Sequence, residues 1–207
     1  MKFQQVVQQR RMVRRFTSDP VASTSVERMV RNAVRAPSAG FTQGWAFLVL
    51  DQAVAVEQFW DATTPPSRAE QPDTWLRGMR TAPVIIVPLS SKAAYLSRYA
   101  EADKGWTDRD ENRWAMPYWH IDTGMAAMLI LQTAVDEELG ACFFGIPAER
   151  TDQRRSTFDI PADYTPIGAI AVGHPAPKVQ PRGSVAKRPR KPLDEVVHYG
   201  RWALKDS

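Results

Sequence analysis

Four guanidiniums fall within six residues in Arg10-Arg11-Met12-Val13-Arg14-Arg15, Phe16 follows, and no carboxylate appears before Asp19. A planar guanidinium fork matches the oxygens of a phosphoester and stays charged at every working pH. Closely spaced arginines therefore suit a phosphorylated ligand better than lysines would. Taken alone, the run also fits a solvated face or a nucleic-acid contact. A second stretch with chemical use is Ala36-Pro37-Ser38-Ala39-Gly40-Phe41-Thr42-Gln43-Gly44-Trp45. Its small residues let backbone amides and carbonyls come close to a planar ligand, although an ordinary helix-to-strand connection has the same composition.

The positive charge is confined to two segments. The chain carries 27 Lys and Arg against 23 Asp and Glu, a net +4. Lys178, Arg182, Lys187, Arg188, Arg190 and Lys191 lie in a stretch without acids; without those six, 21 bases face 23 acids. Without the five bases of residues 1–15 as well, 16 face 23. A nucleic-acid module spreads its bases along one element with stacking aromatics between them. Two separated basic segments point instead to two anion sites, or to one site served from both ends of the chain, and a nucleic-acid partner is not expected.

Several other classes find no support. The longest apolar run, Gly124 to Val135, is interrupted by Gln132 and Thr133 and is too short for a bilayer, so no membrane partner is expected. No basic and then apolar leader opens the chain, and Cys142 has no second cysteine to pair with; both fit a cytoplasmic protein. His120, His174 and His198 are scattered, no phosphate-loop or dinucleotide glycine fingerprint occurs, and no serine sits in a Gly-x-Ser-x-Gly elbow.

The elements that must position these stretches follow from periodicity. Phe3, Val6 and Val7 have the spacing of a short helix that delivers the arginines. Thr24-Ser25-Val26-Glu27 reads as a capping box opening a helix that buries Val26, Met29, Val30, Ala33 and Val34 and stops near Ala36, ahead of Pro37. Buried strands are predicted at 46–50, 82–87, 141–147 and 167–173, with short helices at 53–62, 73–80, 92–102 and 149–157. Residues 121–139 are apolar nearly all round, which predicts a central buried helix closed by Gly140 at C′. Trp106, Trp114 and Trp119 crowd a polar segment, where large rings either cover a ligand pocket or pack on a loop. The basic, proline-rich residues 176–192 predict an extended arm, closed by a short helix with Leu193, Val196 and Val197.

Four segments in order resemble the flavin-dependent nitroreductase family: residues 10–16, residues 36–45, Asp122-Thr123-Gly124-Met125-Ala126 leading to Leu139-Gly140-Ala141-Cys142, and Pro166 to Pro175 followed by Arg190-Lys191-Pro192-Leu193. The resemblance covers almost the whole chain. It implies one α+β domain over residues 1–207, built on a mixed or antiparallel sheet flanked by helices, with residues 176–207 as a C-terminal arm exchanged in a domain-swapped homodimer. It further implies FMN at the subunit interface and NAD(P)H as reductant. Arg10, Arg11, Met12 and Arg14 would meet the phosphate and ribityl chain together with Arg188 or Arg190. Pro37, Ser38, Ala39 and Gln43 would meet the flavin ring, and backbone near Phe144 and Gly145 its reactive middle. Phe41, Trp106, Trp114 and Trp119 would line the pocket for a small electron acceptor such as a nitroaromatic or quinone. No catalytic side chain and no metal is expected, because the flavin carries the chemistry.

Met12 stands where many relatives have serine, and Phe41 and Gly44 where asparagine and proline are common. The phenylalanine also resembles the 5,6-dimethylbenzimidazole synthases. Flavin breakdown, reductive dehalogenation or F420 chemistry on the same fold therefore stand as alternatives, beside a basic nucleic-acid module.

Overall fold

Alternation along the strands divides the core. The computed structural model describes residues 1–177 and 188–202. Strands β1 (Trp45–Leu50), β2 (Val84–Ser90), β3 (Gly140–Phe144) and β5 (Ala169–Gly173) form the order β1-β2-β5-β3, and the short β4 (Thr165–Pro166) also pairs with β2. All these pairings are antiparallel, in register from Trp45↔Ser90 to Leu50↔Ile85, Val84↔Val172 to Ile86↔Ile170, and Gly140↔Gly173 to Phe144↔Ala169. Ile86, Ile170 and Val172 face one apolar cluster with Met29, Ala126 and Ile130, while Ile85, Val87 and Ala171 face the other with Phe59, Leu76 and Met79. Successive side chains point to opposite faces, and here both faces are covered. That double cover is why β2 and β5 read as continuous apolar runs in place of an alternating pattern.

Helices α1 (Phe3–Gln9), α2 (Ser23–Ala33), α6 (Lys92–Tyr99) and α7 (Tyr118–Asp136) are joined in the fold by α3 (Ala53–Thr63), α4 (Pro66–Glu70), α5 (Thr74–Met79) and α8 (Thr151–Thr157). α7 packs against α2, β2 and β3, and α3 against α8. The architecture is α+β with an antiparallel sheet between helices, as expected. The described residues divide into a unit Met1–Ala176, which contains all of these elements, and a unit Pro177–Ser207. The second unit contains the short α9 (Leu193–Val196), which starts after Pro192, and a stacked His198–Trp202 pair with centroids 4.0 Å apart. Lys178, Arg182 and Lys187 lie outside the described residues.

Four local expectations are corrected. The capping box does not form: α2 begins two residues earlier with Ala22 as N-cap in place of Thr24, Glu27 pairs with Arg31, and the Ser25 hydroxyl donates to Glu137 at 2.7 Å. α7 is not closed by Gly140. Glu138 takes the left-handed conformation (φ 60°) and ends the helix, while Gly140 opens β3, where a Cβ would come within 2.8 Å of the Val13 side chain. α6 stops at Tyr99, three residues short of the expected 102, and its anchor is the fully buried Tyr95. Finally, α7 is not covered all round. Asp122, Ala126, Ile130 and Ala134 are buried, but Tyr118, Ile121, Met125 and Met128 form a stripe 37–42% exposed on the uncovered side.

Candidate functional site

The arginine stretch is a strand-like segment clamped on both sides. Met12 bridges Ala141 in parallel and the Val13 amide donates to the Ala141 carbonyl at 2.9 Å. Phe16 is buried, pairs with Pro175, and donates its amide to Thr81 Oγ1 at 3.1 Å. The Arg14 carbonyl lies so close to Gly78 that a Cβ there would approach it to 2.3 Å. The backbone is thus fixed, whereas the side chains of Arg11, Arg14 and Arg15 are exposed and Arg10 is half-buried. Among the described residues none of the four guanidiniums forms an ion pair, and the sole hydrogen bond they make is a long one, 3.5 Å, from Arg14 to the Met12 carbonyl. Met12 packs its side chain against the core, so its thioether is turned to structure.

The 36–45 loop is braced differently. Gly40, Phe41 and Gln43 all have positive φ (59°, 52° and 53°), a conformation that two side-chain-bearing residues adopt only when their surroundings impose it. Inside the loop the Gln43 amide donates to Ser38 Oγ (3.0 Å) and Thr42 Oγ1 to the Ala39 carbonyl (2.6 Å). From outside, Asp122 accepts the Ala39 amide at 2.8 Å and Arg98 donates to the Gly40 carbonyl at 3.0 Å. Pro37, Phe41 and Gln43 are exposed, Phe41 to 75%; Ser38 and Ala39 are half-buried.

At the end of β3, Phe144 stacks on Trp60 at 5.4 Å with planes 8° apart and meets Trp75 edge-on, and Gly145 is exposed with open space where a Cβ would stand. A cavity of about 50 Å³ lies there, lined by Trp60, Thr64, Arg68, Trp75, Phe144 and Gly145. Sheet order fixes how these pieces relate. Met12 and Phe144–Gly145 share the β3 edge, three residues apart from Ala141, or about 10 Å along the strand. The 37–43 loop enters β1 at the opposite edge, three strand spacings or about 14 Å away. The arginine stretch and the 37–43 loop therefore lie at opposite edges of the sheet. Arg188 and Arg190 are exposed in the second unit.

Residues 7–174 match the nitroreductase family. The chain belongs to that family. An NADPH-dependent oxidoreductase of Staphylococcus aureus is 23% identical over 201 residues, covering 95% of this chain and 72% of that protein. Among solved structures, a BluB-like flavoprotein from Clostridium difficile has a TM-score of 0.70 at 18% identity, covering 97% of this chain and all of that one. A protein described as a nitroreductase in complex with FMN, from Exiguobacterium sibiricum, has a TM-score of 0.70 at 17% identity, covering 96% and 97% of the two chains.

Within this nitroreductase-family chain the tryptophans of the 103–119 segment gather into one cluster. Trp114 touches Tyr95, Tyr99, Trp106, Tyr118 and Trp119, with centroids between 4.4 and 6.1 Å. Trp119 also lines a cleft of about 350 Å³ with Ser90, Lys92, His120, Asp163 and Thr165. There the Ser90 hydroxyl donates to the Thr165 carbonyl (3.1 Å) and lies 2.9 Å from His120 Nδ1. With only 1% of its surface exposed, Ser90 is set between the Thr165 carbonyl and the His120 ring, away from solvent. Desolvation, then the Lys92 charge, holds the His120 pKa below its ordinary value.

Two residues of the site had no assigned role from sequence. Asp122, 2% exposed, accepts both the Ala39 amide and the Tyr95 hydroxyl (2.6 Å), and Tyr95 is wholly buried. Burial, reinforced by the Asp122 bond, pushes the Tyr95 pKa well above the usual phenol range. The available signal was an acid amid apolar neighbours on a core helix, which demands a partner.

Proposed function

We propose that this chain binds FMN and works as an NAD(P)H-dependent oxidoreductase on an electron-poor small molecule such as a nitroaromatic or a quinone. The observation that carries this is the set of four guanidiniums on a fixed backbone with no carboxylate partner among the described residues, in a chain of the nitroreductase family. A ribityl phosphate fits that donor set in charge and in fork geometry. The FMN bound by the Exiguobacterium protein and the NADPH dependence named for the Staphylococcus relative support the same assignment.

Arg10, Arg11 and Arg14 would hold the phosphate, joined by Arg188 or Arg190 of the arm, while Met12 contributes backbone alone. Pro37, Ser38, Ala39 and Gln43 would border the ring, and the open backbone at Phe144–Gly145 would leave room beside its middle. Bound there, FMN would supply the hydride chemistry, so the protein's work is to bind, orient and exclude water. Phe41 and the tryptophan cluster would bound the acceptor's side of the site.

The site is completed by a second copy of the chain. Its two halves lie at opposite sheet edges, and the exposed Tyr118-Ile121-Met125-Met128 stripe of α7 supplies an apolar face for the contact. A homodimer with exchanged C-terminal arms accounts for both. No described helix is long and apolar enough to cross a membrane, and the buried, unpaired Cys142 suits the cytoplasm.

An absorption spectrum tests the reading. The purified protein should be yellow and should bleach on anaerobic addition of NADPH or NADH; a colourless protein that takes up no FMN overturns it. Placing a charge in the stripe with Met125→Asp should convert the dimer to a monomer in a light-scattering measurement and lose the flavin with it. The product formed when reduced protein meets oxygen separates simple reduction from flavin breakdown.

A further inference from the structure

We propose that Asp122 is a positioning residue: with Tyr95 it fixes the strained 38–43 turn so that Ser38, Phe41 and Gln43 are presented to the flavin ring, an inference that rests on the FMN reading above. Asp122 Oδ2 accepts the Tyr95 hydroxyl at 2.6 Å and the Ala39 amide at 2.8 Å, in surroundings that expose 2% of the aspartate and none of the tyrosine. Hydrogen bonds to an ionised oxygen are short and strong, and water does not compete for these two. A buried carboxylate with no cationic partner among the described residues is expensive unless it organises something. What it organises is the turn.

All the external supports of that turn grip backbone. Asp122 holds the amide of Ala39, Arg98 the carbonyl of Gly40, and the Ser91 amide donates to the carbonyl of Gly44 at 2.8 Å. Arg98 is itself fixed by Asp103 through two bonds of 2.6 and 2.8 Å. Glycine is required at 40 and 44 because Tyr99 and Tyr95 lie against them; a Cβ would come within 2.8 and 2.6 Å of those rings. Tyr95 and Tyr99, one helical turn apart, rest in turn on Trp114, with Trp119 behind Tyr95 and Trp106 behind Tyr99. The side chains of Phe41 and Gln43 remain outside this scaffold, exposed, with positive φ at both. A loop serving packing alone would bury its large side chain; this one spends its contacts on the backbone and projects the side chains.

The test compares Asp122→Asn and Tyr95→Phe with the unaltered dimer. FMN dissociation constants are read from quenching of flavin fluorescence, the visible band of bound flavin from its spectrum, and melting temperatures in the absence of FMN. Asp122→Asn should weaken FMN by about tenfold and change the bound-flavin band, and Tyr95→Phe should weaken it by a smaller factor in the same direction. The double variant should weaken it by less than the product of the two factors, because both act through one oxygen. A purely structural role would lower the flavin-free melting temperature and leave the constant and the band of the folded fraction unchanged, and that outcome overturns the proposal. If Asp122→Asn does not fold, Tyr95→Phe decides alone: FMN affinity within twofold of the unaltered protein, with the same band, overturns it. Unaltered protein that binds no FMN overturns the functional reading and the inference together.

Discussion

Residues 10–15 and residues 98–113 are both rich in arginine, and they treat the charge in opposite ways. Arg98 and Arg113 are matched by aspartates five residues on or five before: Arg98 with Asp103 at 2.6 Å and Arg113 with Asp108 at 2.6 Å. These pairs raise the pKa of each arginine and hold Asp103 and Asp108 below the usual carboxylate range. In the first stretch the backbone is just as firmly placed, by Ala141, Thr81 and Pro175, yet no acid answers its four guanidiniums among the described residues. Neutralised arginines brace a loop, whereas unmatched arginines on a rigid segment repel one another until an anion arrives. The difference separates the paired arginines from the stretch proposed to hold a phosphate more sharply than the count of basic residues does.

The largest effect should come from removing the unmatched charge. Arg10→Ala combined with Arg11→Ala should weaken FMN by about a hundredfold or more, since each charged hydrogen bond contributes about 1.5–3 kcal/mol. The flavin-free melting temperature should hold or rise, because like-charge repulsion is relieved. Arg14→Ala should lower flavin occupancy by a smaller factor without unfolding the chain. If Arg14→Ala retains full flavin, that residue holds no phosphate. In the matched region the response inverts: Arg113→Ala, which breaks an exposed pair with Asp108, should leave FMN affinity unchanged and move stability very little.

The same contrast explains what could be read from the chain in advance. Strands β2 and β5 were legible because each is an apolar run buried on both faces, and the arginine stretch because its spacing and missing acids are local facts. The capping box was not, since Glu27 is drawn to Arg31 and Ser25 to Glu137, 112 residues away. The helix ends at Glu138 instead of the expected Gly140, a glycine that the close approach of Val13 requires two residues later, at the start of β3. Asp122 and Tyr95 are separated by 27 residues and joined by a single buried oxygen, which no periodicity encodes. The exposed stripe of α7 looked like core because its apolar residues have the same composition as buried ones.

Acid should divide the two regions a last time, with the smallest effects. Arginines keep their charge throughout, so the FMN site should respond to the ligand: its phosphate changes from dianion to monoanion near pH 6, about the second pKa of a phosphoester, and affinity should weaken as pH falls through that range. The flavin-free protein should respond elsewhere. His120 is held neutral in the fold by desolvation and by Lys92, so its folded pKa lies below the ordinary 6.5. The unfolded chain then takes up the proton first; stability is full above pH 6.5 and declines as pH falls from there through the folded pKa. Asp103 and Asp108, with folded pKa values below 3.8, keep their contribution above that value and lose it as pH falls below it. Melting curves from pH 8 to pH 3 should therefore show a shallow first decline that His120→Asn removes and a later one that Arg113→Ala reduces. A first decline that survives His120→Asn would assign it to another group.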